Sequence, residues 1–151
     1  MCSSTINQSS SNRERRGCLL LVDGDVARAQ RLAQRLPHPE FDVHLADNGA
    51  SALLLAHELL PDVVIAASDL PILDGHLMLA ALRSKPETRD ATVILLTEGM
   101  SQDELARCWK AGADLCVPRS QGDTDVVATL HRALSSVLIR DDANRNLAYI
   151  S

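Results

Sequence analysis

Five short apolar runs recur along this chain at intervals of about 20 to 30 residues: CLLLV from Cys18, FDVHLA from Phe41, DVVIAA from Asp62, TVILLT from Thr92 and DLCVP from Asp114. CLLLV is apolar at every position and not at every second one, which predicts a strand buried on both faces. Helical patterns fill the gaps. Val26, Ala29, Leu32 or Ala33, and Leu36 are three or four apart, and Pro37 and Pro39 end that segment. Ala50 to Leu60 is Ala/Leu-rich and stops at Pro61, and Gly75 to Arg83 forms a third helix. Ser101-Gln-Asp-Glu104 is a capping box for a fourth, closed by Gly112. The last is expected from about Thr124 to Leu138, with Val127, Leu130, Leu134 and Val137 on its buried stripe. Parallel strands need crossover connections, and right-handed crossovers lay helices on both faces of the sheet. The expected fold is therefore a three-layer α/β/α sandwich around a five-stranded parallel sheet.

That frame occupies residues 17–139. The Ser-rich, aperiodic stretch 1–16 is expected to be a disordered leader, and 140–151 a C-terminal tail. With 46% apolar residues, the 151-residue chain suffices for one domain with a sizeable core. Phe41, Trp109 and Tyr149 are its only aromatics, so the core must be aliphatic and base-stacking on nucleic acid has no platform. Residues 17–139 carry seventeen acids against ten Lys and Arg, a sign that repels phosphate backbones. Cys2, Cys18, Cys108 and Cys116 form no metal-ligand spacing, nor do the five histidines, so no metal or cofactor is expected. No run reaches the roughly 18 residues of a membrane span, and a cytoplasmic protein with reduced thiols is expected.

In doubly wound sheets, functional groups gather at the carboxyl ends of the strands. Those ends carry VDGD (22–25), AASD (66–69), TEG (97–99) and VPRS (117–120). With LLLVDGD at the first strand, PDVVIAASDLPILDGHLMLAALR through the third, VILLTE at the fourth and AGADLCV before the fifth, the chain from Gly17 to Leu138 resembles the receiver domain of two-component response regulators. The resemblance implies a flavodoxin-like strand order of 2-1-3-4-5 and a role in phosphorelay signalling without enzyme activity in the ordinary sense.

Receivers take a phosphoryl group on an aspartate ending the third strand, with acids after the first strand holding Mg²⁺, a Thr or Ser after the fourth, and a Lys after the fifth. Carried over to this chain, Asp23 fits the first acid, the second falls on Gly24, and Asp25 is an extra acid one place on. The acceptor lies four residues before the loop proline, which makes it Ala67. Thr97 fits the hydroxyl, Arg119 stands for the lysine, Ser120 for the proline after it, and Cys116 for the switch aromatic. A methyl group cannot attack phosphorus, and Gly24 offers Mg²⁺ no side-chain oxygen. The resemblance thus implies a degenerate receiver that binds partners without phosphorylation. An Asp23–Arg119 contact is expected to replace the metal with a fixed cation.

Two alternatives stand beside this. Asp69 is either a displaced acceptor, with Asp23 and Asp25 holding Mg²⁺, or a polar loop residue before Pro71; Ser68 has no base beside it. The vacated pocket is otherwise a small-molecule site. Asp74 reads as a helix cap. Glu98 either narrows the pocket or is solvated, and Thr97 either meets a phosphoryl oxygen or satisfies nearby backbone. Arg28, Arg31 and Arg35 form a row that either docks an acidic partner or is a solvated face. Trp109 is either a core anchor or an interface anchor. The expected partners are proteins: a histidine kinase, a phosphotransfer or effector protein, or a second copy through the fourth helix, fifth strand and fifth helix. Neither nucleic acid nor membrane is expected.

Overall fold

The computed structural model describes residues 17–36, 41–99 and 101–135, so the expected leader at 1–16, the tail at 140–151, Pro37, Pro39 and Val137 lie outside the described residues. Five strands form: β1 Gly17–Val22, β2 Phe41–Ala46, β3 Val63–Ala67, β4 Thr92–Thr97 and β5 Leu115–Pro118. They pair in parallel in the order β2-β1-β3-β4-β5, the expected flavodoxin-like topology. The helices are α1 Val26–Gln34, α2 Gly49–Leu59, α3 Gly75–Arg83, α4 Gln102–Ala111 and α5 at 123–135.

Why the runs read so clearly is visible in their burial. Leu19 to Val22, Val63 to Ala66 and Val93 to Leu95 have no exposed surface, because β1, β3 and β4 are covered on both faces. Alternate residues serve opposite layers, as the two-residue period of a strand requires. Leu20, Val22, Val64, Ala66, Val93 and Leu95 meet Ala52, Ala56, Met78, Leu79, Leu82 and Cys108 from α2, α3 and α4. Leu19, Leu21, Ile65, Ile94 and Val117 meet Ala29 of α1, Leu36 just beyond it, and Val126, Leu130 and Leu134 of α5. The edge strands β2 and β5 are only partly covered.

Helix ends follow local chemistry. Asn48, Asp74 and Ser101 each accept a hydrogen bond from an amide three residues on, at 2.8, 3.0 and 3.1 Å, satisfying first-turn donors. Gly112 closes α4 in the left-handed conformation at φ 103°. Leu60 closes α2 at φ 49°, so the helix ends by a left-handed cap one residue before Pro61. Two stripes need correcting. Val26, the first residue of α1, is 49% exposed. On α5 the fully covered row is Val126, Leu130 and Leu134, with Val127 only half-buried.

Candidate functional site

The loops after β1, β3, β4 and β5 meet at one edge of the sheet, and Asp23 lies at their centre, 2% exposed. Its carboxylate accepts four hydrogen bonds. Oδ1 takes the Asp25 amide at 3.0 Å and Arg28 Nη2 at 2.9 Å; Oδ2 takes Arg28 Nε at 2.8 Å and Arg119 Nη2 at 2.9 Å. An ionised carboxylate has about four acceptor sites, so this one is fully used. Burial raises its pKa, but the Arg28 hydrogen bonds, the Asp25 amide and the charges of Arg119 and Arg28 outweigh that and hold it below the ordinary value. Arg28 is pushed the other way, first by its hydrogen bonds to Asp23.

The expected Asp23–Arg119 contact is therefore present, and it is joined by a second cation, Arg28. Arg28 does not stand with Arg31 and Arg35 as a free row: it turns back to Asp23 while Arg31 and Arg35 remain exposed. Side chains tilt toward a helix's N-terminus, so a first-turn arginine points at the strand end before it. The five-residue separation across the β1–α1 turn was the available signal. Asp25 is exposed and caps α1 by accepting the Arg28 amide at 3.1 Å.

Around this triad the other positions separate. Ala67 is buried at the end of β3, with Ser68 also buried and Asp69 exposed; among the described residues the Asp69 carboxylate has no hydrogen-bond partner. Thr97 is fully buried and donates to the Gly99 carbonyl at 2.8 Å, the backbone alternative open at this position. Glu98 and Ser120 are exposed. Gly24 is exposed but abuts Pro71 of the loop after β3: a Cβ there would approach Pro71 Cδ to 2.9 Å, so a larger side chain forces a shift. Cys116 packs beside Cys108; burial, then its thiol neighbour, pushes its pKa up to about 12, so it stays protonated at neutral pH. Trp109 is 52% exposed on α4, which excludes a core role. Among the described residues no group of His, Cys, Asp or Glu is arranged to hold a metal, and no helix is long and apolar enough to cross a membrane.

One feature had no signal in the sequence. In the β3–α3 loop, the Leu73 amide donates to the Pro71 carbonyl at 2.7 Å across Ile72, whose φ is 68°. This is the strained form of the γ-turn, and a β-branched residue there is an outlier. The Ile72 side chain is 80% exposed, so little packing offsets the strain. Ile72→Gly should relieve about 1–3 kcal/mol of strain and lose about 0.5–1 kcal/mol to chain entropy. Thermal unfolding is expected to show a midpoint about 2–4 °C higher; a lower midpoint means that Ile72 makes contacts worth more than its strain.

Comparison with known proteins places these observations. The response regulator receiver domain family matches residues 19–131. Among curated proteins, the response regulator MprA of Mycolicibacterium vanbaalenii is 30% identical over 130 residues, 86% of this chain and 55% of that protein. The probable transcriptional regulator ycf29 of Pyropia yezoensis is 32% identical over 88 residues, 58% of this chain and 40% of that protein. The chain thus spans about half or less of the length of these relatives. Among solved structures, a putative response regulator from Chloroflexus aurantiacus superposes with a TM-score of 0.70 at 26% identity, covering 80% of this chain and 98% of that one. The receiver domain of the Pseudomonas aeruginosa sensor histidine kinase PA1611, described with a magnesium ion coordinated in its active site cleft, gives 0.70 at 23% identity, covering 80% and 96%. By family match and by topology, this chain belongs to the response regulator receiver domains, the signalling modules of two-component systems.

Proposed function

We propose that this receiver acts by binding protein partners without taking a phosphoryl group at the end of β3. The observation that carries the reading is the saturation of Asp23. Every acceptor site of its carboxylate is committed to Arg28, Arg119 or the Asp25 amide. Mg²⁺ needs hard oxygen ligands. Here Gly24 has none, Ala67 has none, and Asp23 has no lone pair left, so the residues present do not fit the ion. Two guanidiniums beside one buried carboxylate also give the pocket a charge that repels a dication. Arg28 and Arg119 do what a metal does for an acid cluster, but permanently, and so favour one fixed arrangement of the surrounding loops.

The partner is a histidine kinase, a phosphotransfer protein or an effector. The exposed Trp109 on α4 supports a contact, including a dimer through α4, β5 and α5, because large aromatics anchor interfaces. The test is incubation with acetyl phosphate and Mg²⁺ followed by intact-mass measurement. No added phosphoryl mass is expected. A gain that disappears in Asp69→Ala would show that the exposed Asp69 is a displaced acceptor and would overturn the reading.

A further inference from the structure

A cavity of about 360 Å³ opens between α1 and α2 above the end of the edge strand β2. Its walls are Val26 of α1, Leu45 of β2 and Leu55 of α2, with Ser51 and Asp47 at one side and Asp23 among the lining residues. Val26 and Leu45 are two of the domain's exposed large apolar side chains, at 49% and 38%, so the rim is greasy on both sides. The two carboxylates differ in availability. Asp23 is fully hydrogen-bonded and matched by two arginines. Asp47 is exposed, accepts one hydrogen bond from Asn48 Nδ2 at 2.8 Å, and makes no ion pair among the described residues. Asp25, exposed at the start of α1, adds a second negative charge near Arg28 without a short ion pair.

We propose that this cavity receives the lysine side chain of a protein partner, with its methylenes along Val26, Leu45 and Leu55 and its ammonium at Asp47. Lysine pairs a four-carbon apolar stem with a compact cation, and such side chains lay the stem on apolar surface while the head stays near water. A neutral aliphatic group would leave Asp47 uncompensated, and an acidic one would meet it with like charge. Of the arginine row expected to attract an acidic partner, Arg28 is held by Asp23, and Arg31 and Arg35, though exposed, are not among the residues that line the cavity. The inference goes beyond the phosphate-independent reading and stands whether or not the end of β3 takes phosphate.

The test uses n-butylammonium, the lysine side chain without its backbone, titrated against the intact chain while methyl resonances are followed by NMR. Saturable shifts confined to Val26, Leu45 and Leu55 are expected. n-Butanol should bind roughly fivefold more weakly, the scale of one solvent-accessible ion pair. Asp47→Asn, which keeps the Asn48 hydrogen-bond acceptor, should reduce butylammonium binding to the level of butanol. Equal binding of butanol, undiminished binding in Asp47→Asn, or no shift at these methyls overturns the proposal. So does a shift of the same methyls with protein concentration alone, which would assign the cavity to a second copy of the chain.

Discussion

Asp23→Ala is expected to destabilise the domain by about 3–5 kcal/mol, the usual cost of removing one partner from a buried ion pair. At 2–4 °C per kcal/mol for a chain of this size, the unfolding midpoint should fall by roughly 10 °C. The sign is the informative part. In a pocket of several carboxylates, deleting one relieves repulsion and stabilises. Here the deleted carboxylate bridges two cations, and among the described residues it is the only ion-pair partner of Arg119, whose side chain is 16% exposed. Arg28 contributes less to the loss, since it is 38% exposed and solvent can take over its role. The pH dependence follows from the direction of the Asp23 shift. A carboxylate whose folded pKa is depressed adds stability that is fully present above its unfolded value near 4, and that stability is lost as pH falls through the lower folded value. The difference between the parent chain and Asp23→Ala should thus be constant at neutral pH and shrink below about pH 4. Chemical denaturation across that range measures it. Adding Mg²⁺ at neutral pH should leave the parent midpoint unchanged, because an ion that does not bind the folded state cannot stabilise it.

The sequence made the central strands legible and the site only partly so, for reasons that differ by residue. Leu19 to Val22, Val63 to Ala67 and Val93 to Leu96 are apolar because helices cover both faces, and that constraint writes itself into every position. Asp23, Ala67, Thr97 and Arg119 fell at the expected strand ends because register within a parallel sheet is fixed by the same runs. Arg28 did not, since periodicity reports which face of a helix a residue occupies and is silent on where a long first-turn side chain reaches. Asp25 stands two residues from another acid in sequence, yet its extended backbone at φ −94° makes it a cap that turns its carboxylate to its own helix. Ile72 could not be found at all: its left-handed conformation is imposed by contacts on either side. Leu73 packs on the core and Pro71 on Gly24, and the residue between them takes the conformation that remains.

Those contacts make Gly75→Ala the second large effect. Replacing glycine by alanine inside a helix ordinarily stabilises by about 0.5–1 kcal/mol, through chain entropy and helix propensity. At Gly75 a Cβ would stand 2.4 Å from the Ala67 carbonyl oxygen and 2.9 Å from Ser68 Cα. Both are backbone atoms at the end of β3, and neither can rotate away. The Gly75 amide also donates to the Ser68 carbonyl at 3.0 Å, so α3 begins pressed against the strand that ends in Ala67. Relief requires α3 to back out of the core that Met78, Leu79 and Leu82 fill. The expected cost is about 3 kcal/mol, at the upper end of overpacking. Ala80→Gly is the control, because Ala80 is exposed on the same helix and its substitution should cost only the propensity difference of about 1 kcal/mol. If Gly75→Ala proves milder than Ala80→Gly, the close approach of α3 to Ala67 does not exist. If it is severe, the loop carrying Ser68, Asp69 and Ile72 is fastened at its far end by Gly75 and at its near end by β3.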